Sequence, residues 1–277
     1  MLKKLLKYDF KAVFKYWWIA AISSVVLALA GGWSISIFDS SKDLPTILYV
    51  VATIVAIIAV MGVVAFSFIT VIFVYTRFYK NFFTDEGYLT FTLPVKRSEL
   101  LNSKIITSVI ASILTGFVIL FDLFIALAVG IPDVIFDEWM WYEFWNEFIL
   151  EVINGAGLGY FLIYILEVLV GLLILSVFTT LFVFCCITVG SIITKKAKII
   201  TSIGIYYAAN SVFTFIVQMF GIFGIDSLLS WLGKLDENQF APVFALLLLG
   251  VVLFIGAFCG ALYSLQYWML DRKLNLS

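Results

Sequence analysis

The sequence predicts an all-α polytopic membrane protein with six transmembrane helices and an N-terminal amphipathic helix. Of its 277 residues, 64% are hydrophobic and 13% are charged, whereas soluble domains carry about 25% charged residues. Several apolar runs exceed the roughly 20 residues that a helix needs to cross a bilayer. Basic residues flank these runs in a pattern that alternates from one connection to the next. Together the three observations exclude a water-soluble domain.

Hydropathy divides the chain into six candidate spans. The second and fourth are longer than a crossing requires, so we expect them to tilt or to extend beyond the lipid. Residues 1–277 are expected to form a single transmembrane domain. The predicted spans are 17–38, 46–76, 104–131, 158–193, 198–224 and 243–269.

The positions of lysine and arginine predict the orientation. Fifteen of the 17 basic residues fall on one side of the predicted spans, and only Lys42 and Lys234 fall on the other. Connections rich in lysine and arginine stay in the cytoplasm. Both termini are therefore predicted to be cytoplasmic. The fifteen residues lie in the segments 3–15, 77–104, 195–198 and 272–273.

Residues 1–16 are predicted to form a separate amphipathic helix along the inner leaflet, in contact with membrane lipids. Four lysines recur at intervals of four residues, opposite an apolar face. Asp9 interrupts that apolar face, and two explanations remain: a local partner for a neighbouring lysine, or a contact to a partner subunit. The lysines are Lys3, Lys7, Lys11 and Lys15, and the apolar residues are Leu2, Leu6, Val13 and Trp17.

Residues 132–157, predicted to be extracellular, include a second amphipathic segment of opposite charge. Within DEWMWYEFWNEFILEV, Glu143 and Glu147 recur on one face and Trp141 and Trp145 on another. Tryptophan favours the level of the lipid headgroups. We expect an interfacial helix here, followed by a flexible joint at the glycine-rich GAGLGY.

The residues that are missing exclude most catalytic classes. The chain has no phosphate-binding GxxxxGK[ST] loop and no histidine, so HExxH zinc sites and Ser-His-Asp triads are impossible. Its three cysteines lie inside apolar runs, which indicates neither disulfides nor a metal site. The basic residues stay close to membrane boundaries, which disfavours nucleic-acid binding. We therefore expect no enzyme activity from this chain by itself.

Polar residues inside the spans are candidates for a substrate path. Asp122 and Glu167 lie within the third and fourth spans, where a charge costs at least a few kcal/mol unless it faces protein or water. Each either lines a path or is a packing residue. A stripe in the fifth span faces a cavity, faces a partner subunit, or bonds neighbouring helices. Its members are Ser202, Tyr206, Asn210, Thr214 and Gln218.

Residues 80–104 form a polar, charged segment in an otherwise apolar chain. Asp85-Glu86-Gly87 is a turn signal in which glycine can adopt a positive φ. We expect a short helix to end near Thr84, an extended piece before Pro94, and a new helix that leads into the third span. Exposed apolar side chains are costly unless a partner covers them. Those expected here are Tyr88, Leu89 and Phe91.

At this point the sequence resembles a known family. FYKNFFTDEGYLTFTLPVKRSELLNSK is similar to the cytoplasmic loop that precedes the third span in ABC-2-type permease subunits of Gram-positive bacteria. The KYDFK start and the KLNL end are similar too. Lys96 departs from the serine-like cap expected there. The resemblance implies an ABC-2-type (type V exporter-like) permease fold in a bacterial plasma membrane.

The resemblance also implies the partners. The chain would be a transmembrane subunit of an ATP-driven exporter, paired with a second permease subunit as a homodimer or heterodimer. Two ATP-binding cassette subunits would dock beneath it and hold ATP and magnesium, so this chain itself would need no cofactor. The loop would be the coupling helix, and the N-terminal helix would be the second contact. The implied coupling residues are Asp85, Glu86, Gly87, Tyr88, Phe91 and Asp9.

The cargo is less defined. The acidic outer face would suit an amphipathic or cationic substrate such as an antimicrobial peptide, and a drug or lipid is the alternative. A second hypothesis is a non-transport membrane scaffold or sensor that recruits a cytoplasmic partner through the same loop. A third is an intramembrane enzyme, for which Asp122 and Glu167 are the only candidate acids.

Overall fold

The computed structural model describes residues 2–39, 44–84, 86–87, 92, 94–194, 197–235 and 237–272. Helices account for nearly all of these residues. We number the α-helices in chain order, with one π-helical segment, Phe144–Ile149, between the fifth and sixth. They are α1 (Leu2–Asp39), α2 (Thr46–Phe83), α3 (Arg97–Gly130), α4 (Pro132–Ile135), α5 (Glu138–Glu143), α6 (Leu150–Ala156), α7 (Leu158–Ile193), α8 (Lys198–Leu232) and α9 (Glu237–Arg272).

Six of the described helices, α1, α2, α3, α7, α8 and α9, contain stretches long and apolar enough to cross a membrane. This confirms the predicted all-α class and indicates a multi-pass membrane protein. Five of these six helices are longer than the predicted spans, and α7 has the predicted limits. At about 1.5 Å per residue, the 38 residues of α1 extend about 57 Å, against the roughly 30 Å of a bilayer core. Parts of the long helices therefore lie outside the hydrocarbon.

The N-terminal segment differs from the prediction. Residues 1–16 were expected to form a separate helix, but α1 continues without interruption from Leu2 to Asp39. No residue between Leu2 and Asp39 ends the helix, because this segment has no proline and its first glycine is Gly31. The amphipathic pattern itself is confirmed. The lysines at positions 3, 4, 7, 11 and 15 are exposed, and a buried stripe runs through Asp9, Val13, Trp17 and Ala21.

The segment after α3 also differs. One amphipathic helix was expected over 132–157, but the segment is divided into α4, α5, the π-helical segment and α6. Asp137 separates α4 from α5. It caps the start of α5, because its side chain accepts a hydrogen bond from the Trp139 N–H at 3.0 Å. The expected joint is at Gly157, whose φ of +83° separates α6 from α7.

The chain comprises two compact units. Unit 1 contains residues 1–78 and 102–148. Its core lies where α1 packs against α2 and α3, with Trp17, Ala21 and Phe66 in one buried cluster. A Cβ atom at Gly32 would lie 2.7 Å from the carbonyl oxygen of Ala126, so glycine is required for α1 and α3 to approach this closely.

Unit 2 contains residues 79–101 and 149–277. Helix α7 packs against both α8 and α9. A Cβ atom at Gly190 of α7 would lie 2.6 Å from the backbone of Ser202 in α8, which shows how closely these helices cross. On the side of α9, Gln266 is fully buried and donates a hydrogen bond to Thr188 at 2.7 Å.

Candidate functional site

The charged loop between α2 and α3 starts with a tight turn. The N–H of Gly87 donates to the carbonyl oxygen of Thr84 at 2.8 Å, which confirms the predicted turn. The expected reason is wrong, because Gly87 does not have a positive φ. Instead, a Cβ atom at Gly87 would lie 2.8 Å from the carbonyl oxygen of Phe82. Glu86 beside it is exposed. Asp85, Tyr88 and Phe91 lie outside the described residues.

Basic side chains hold the two ends of this loop within unit 2. At its start, the Lys198 ammonium donates to the carbonyl oxygen of Phe83, the last residue of α2, at 3.2 Å. At its end, the Arg97 guanidinium donates to the carbonyl oxygens of Leu270 and Asp271 at 2.7 and 2.8 Å. The last carbonyl groups of a helix lack partners within the helix and favour cations. The loop ends are thus bonded to the start of α8 and the end of α9.

A buried charged cluster lies within unit 1, beside the loop in sequence. Asp9 is 4% exposed and Lys104 is 8% exposed. The Lys104 ammonium donates to Oδ1 of Asp9 at 2.5 Å, and the Arg77 guanidinium donates to the same oxygen at 3.4 Å. The hydroxyl of Ser103 donates to Oδ2. Every oxygen of the Asp9 carboxylate therefore has a partner from α2 or α3.

This cluster links three helices at one level of unit 1. Arg77 is six residues before the end of α2, and Lys104 is in the second turn of α3. In the sequence, Arg77 therefore comes shortly before the loop and Lys104 shortly after it. Breaking a buried ion pair by removing one partner costs about 3–5 kcal/mol, because the other charge stays buried and unpaired. Asp9 thus fixes α1 to the helices on either side of the loop.

Asp9 is therefore placed differently from both explanations drawn from the sequence. Its partners are not lysines of its own helix, and its carboxylate is enclosed by the same chain and not open to a partner subunit. A signal for this pairing was present. Asp9 and Lys104 are single opposite charges, each on the apolar face of a helix, and two such charges are expected to meet.

The two intramembrane acids are both buried. Asp122 in unit 1 is 1% exposed, and neither of its carboxyl oxygens has a hydrogen-bond partner among the described residues. Ser24 faces it, but the Ser24 hydroxyl donates to the carbonyl oxygen of Ala21. Glu167 in unit 2 is 8% exposed, and its Oε2 atom has no partner in the described chain. Among the residues that the structure describes, no group of three or more acidic, cysteine or histidine side chains could hold a metal ion.

The polar stripe of α8 runs from the interior of unit 2 to its surface. Ser202 is buried against α7, and Tyr206 is half-buried. Ser202 bonds to α7, while Asn210, Thr214 and Gln218 are exposed among the described residues.

No family model, curated protein or solved structure matches the chain. The candidate site therefore rests on its own geometry: a charged loop with a tight turn, bonded ends, and helices fixed on either side by a buried charged cluster.

Proposed function

We propose that this chain is the membrane-spanning subunit of an ATP-driven exporter of the ABC-2 type, located in a bacterial plasma membrane with both termini in the cytoplasm. Six long apolar helices support a membrane role. The resemblance of residues 78–104 to the permease loop supports the family. The missing phosphate loop is consistent with ATP and magnesium being bound by a separate subunit.

The observation that carries this proposal is the buried charged cluster of Asp9, whose partners Arg77 and Lys104 come directly before and after the loop in the sequence. A loop that only connects two spans needs no fixed attachment. A loop that transmits the movement of an ATPase needs stiff helices behind it, because a flexible attachment would absorb the displacement. Arg77 and Lys104 provide this stiffness through Asp9.

In the proposed mechanism, two ATP-binding cassette subunits bind the loop through Asp85, Glu86, Gly87, Tyr88 and Phe91. Closure of the ATPase dimer moves the loop, and with it α2 and α3. This opens the path to the other side of the membrane. The second permease subunit, identical or paralogous, completes that path. The path residues proposed for this chain are Asp122, Glu167, Tyr206, Asn210, Thr214 and Gln218.

The proposed cargo is amphipathic or cationic, such as an antimicrobial peptide, with a drug or lipid as the alternative. The support is the composition of residues 132–157, where acidic and exposed aromatic residues occur without any lysine or arginine. Such a surface favours a molecule with positive charge and apolar groups.

The proposal is tested by isolating the full chain from its native membrane in mild detergent. We expect an ATP-binding cassette subunit to be present in equal amount, and ATP hydrolysis that rises when the complex is placed in liposomes with cargo. A complex without any ATPase would overturn the transporter. Recovery of a different cytoplasmic protein would instead support the scaffold or sensor hypothesis.

A further inference from the structure

The loop between α2 and α3 belongs to unit 2, together with the helices that come later in the sequence. Unit 2 includes residues 79–101, whereas α2 begins at Thr46 and α3 ends at Gly130. The end of α2, the loop and the start of α3 are thus part of the same compact unit as α7, α8 and α9.

Packing encloses both ends of the loop. Phe82, in the last turn of α2, and Leu101, near the start of α3, are fully buried. Between them, Glu86 and Lys96 are exposed. Closely packed side chains cannot shift without moving their neighbours. The described part of the loop is therefore held at its ends, with exposed charged residues between them.

Both hydrogen-bonded attachments of the loop use backbone acceptors. Lys198, the half-buried first residue of α8, donates to the carbonyl oxygen of Phe83 at 3.2 Å. Nη1 of Arg97, the first residue of α3, donates to the carbonyl oxygens of Leu270 and Asp271 at 2.7 and 2.8 Å. A side-chain acceptor can turn away by changing its rotamer, but a backbone carbonyl moves only with its helix. Each bond therefore attaches one end of the loop to another helix as a whole.

The two attachments reach different helices. Lys198 joins the start of the loop to α8, and Arg97 joins its end to α9. Helix α7 packs against both α8 and α9, but the two attachments share no residue. Removing one donor therefore leaves the other attachment in place.

We propose that Arg97 and Lys198 are positioning residues, which pass a displacement of the loop to α9 and α8 in addition to α2 and α3. This rests on the proposed function, in which an ATPase displaces the loop. Hydrogen bonds from a charged donor are roughly twice as strong as those between neutral groups. Without these bonds, the displacement would act directly only on the two helices that the loop joins covalently.

Hydrogen exchange of the full-length chain in complex with its ATP-binding subunit tests this. Backbone amide exchange is compared without nucleotide and with a non-hydrolysable ATP analogue. Arg97→Met and Lys198→Met each remove one donor and keep a long side chain. In the unchanged chain, the analogue should alter exchange in the loop, in the first turns of α8 and in the last turns of α9.

The two variants should separate these responses. In Lys198→Met, the response to the analogue should be lost in α8 and kept in α9. In Arg97→Met, it should be lost in α9 and kept in α8. A residue that only stabilises the fold would raise exchange equally with and without the analogue, so the nucleotide-dependent difference distinguishes a positioning role.

Asp271→Asn is the matched control. It removes the exposed ion pair with Arg97, whose atoms are 3.2 Å apart, and keeps both carbonyl bonds of Arg97. This variant should respond to the analogue as the unchanged chain does. Retention of both responses in both variants would overturn the proposal, and so would loss of both responses in either variant. An unchanged chain in which only the loop, α2 and α3 respond would also contradict it.

The two proposals fail separately. If the ATP-binding subunit is recovered but the variants respond like the unchanged chain, the positioning role is overturned and the transporter stands. If no ATP-binding subunit is recovered, the transporter is overturned and the attachment is measured on the chain alone. Exchange at residues 79–101 should then be several-fold faster in Arg97→Met and Lys198→Met than in Asp271→Asn. Equal exchange in the three variants would overturn the attachment too.

Discussion

Replacing Asp9 by asparagine is the sharpest perturbation of the charged cluster, because it removes the charge and keeps the shape. Lys104, 9% exposed at its side chain, would lose its partner at 2.5 Å. Removing one partner of a buried ion pair costs about 3–5 kcal/mol. The pair with Arg77, whose side chain is 32% exposed, adds about 1 kcal/mol or less. Asparagine still accepts one hydrogen bond, so we expect a loss near 3 kcal/mol.

Thermal unfolding of the detergent-solubilised protein measures this loss. At about 2–4 °C per kcal/mol for a chain of this size, Asp9→Asn should lower the Tm by roughly 6–12 °C. Lys104→Met leaves Asp9 bonded to Arg77 and Ser103, so it should cost less, about 1–2 kcal/mol. The double variant should recover most of the loss, since no buried charge then stays unpaired.

The exposed ion pair between Arg97 and Asp271 is the matched control. Their nitrogen–oxygen distance is 3.2 Å, but the side chains are 43% and 48% exposed, so Asp271→Asn should cost about 1 kcal/mol or less. Equal Tm values for Asp9→Asn and Asp271→Asn would refute the reasoning. A double variant less stable than Asp9→Asn would refute it as well.

Three further changes test other parts of the fold. Gly32→Ala places a methyl group 2.7 Å from the Ala126 carbonyl oxygen and should destabilise the protein by about 1–3 kcal/mol. The control is Gly116→Ala, where a Cβ atom meets nothing within 4 Å. It should be neutral or slightly stabilising in the same Tm measurement. Gln266→Met should change the free energy of unfolding by less than about 1 kcal/mol, because Oε1 of the buried Gln266 has no partner among the described residues. A large loss would show that the amide is needed. Asp122→Asn should keep or raise the Tm, because neither carboxyl oxygen is bonded within the described chain, yet lower transport by reconstituted protein; unchanged transport would remove Asp122 from the path.

Much of the helical architecture could be predicted because hydropathy records it directly. The predicted fourth span, 158–193, has the same limits as α7, and the start of the fifth at residue 198 is the start of α8. The failure at residues 1–16 has a clear cause. Periodicity shows which face of a helix is apolar, but it does not say whether two successive helical patterns are joined.

The pairing in the charged cluster was missed for a different reason. Asp9 and Lys104 are 95 residues apart in the sequence, and only the packing of α1 against α3 brings them together. The sequence identified Asp9 as unusual, but it could not choose between partners. In the same way, the stripe on α8 was recognised from its spacing, while its exposure at Asn210 and Gln218 depends on where α7 and α9 pack.

The orientation and the cytoplasmic position of the loop remain predictions from the distribution of lysine and arginine.

The central claim is that an ATPase binds this chain through the loop, and one measurement tests it directly. Asp85→Lys with Glu86→Lys reverses the charge beside the tight turn, and Asp133→Lys with Asp137→Lys does the same in the segment after α3 as the control. The amount of ATP-binding cassette subunit recovered with each full-length variant is measured. The account predicts loss of the ATPase for the loop variant alone. Equal recovery with both variants and the unchanged chain would contradict it.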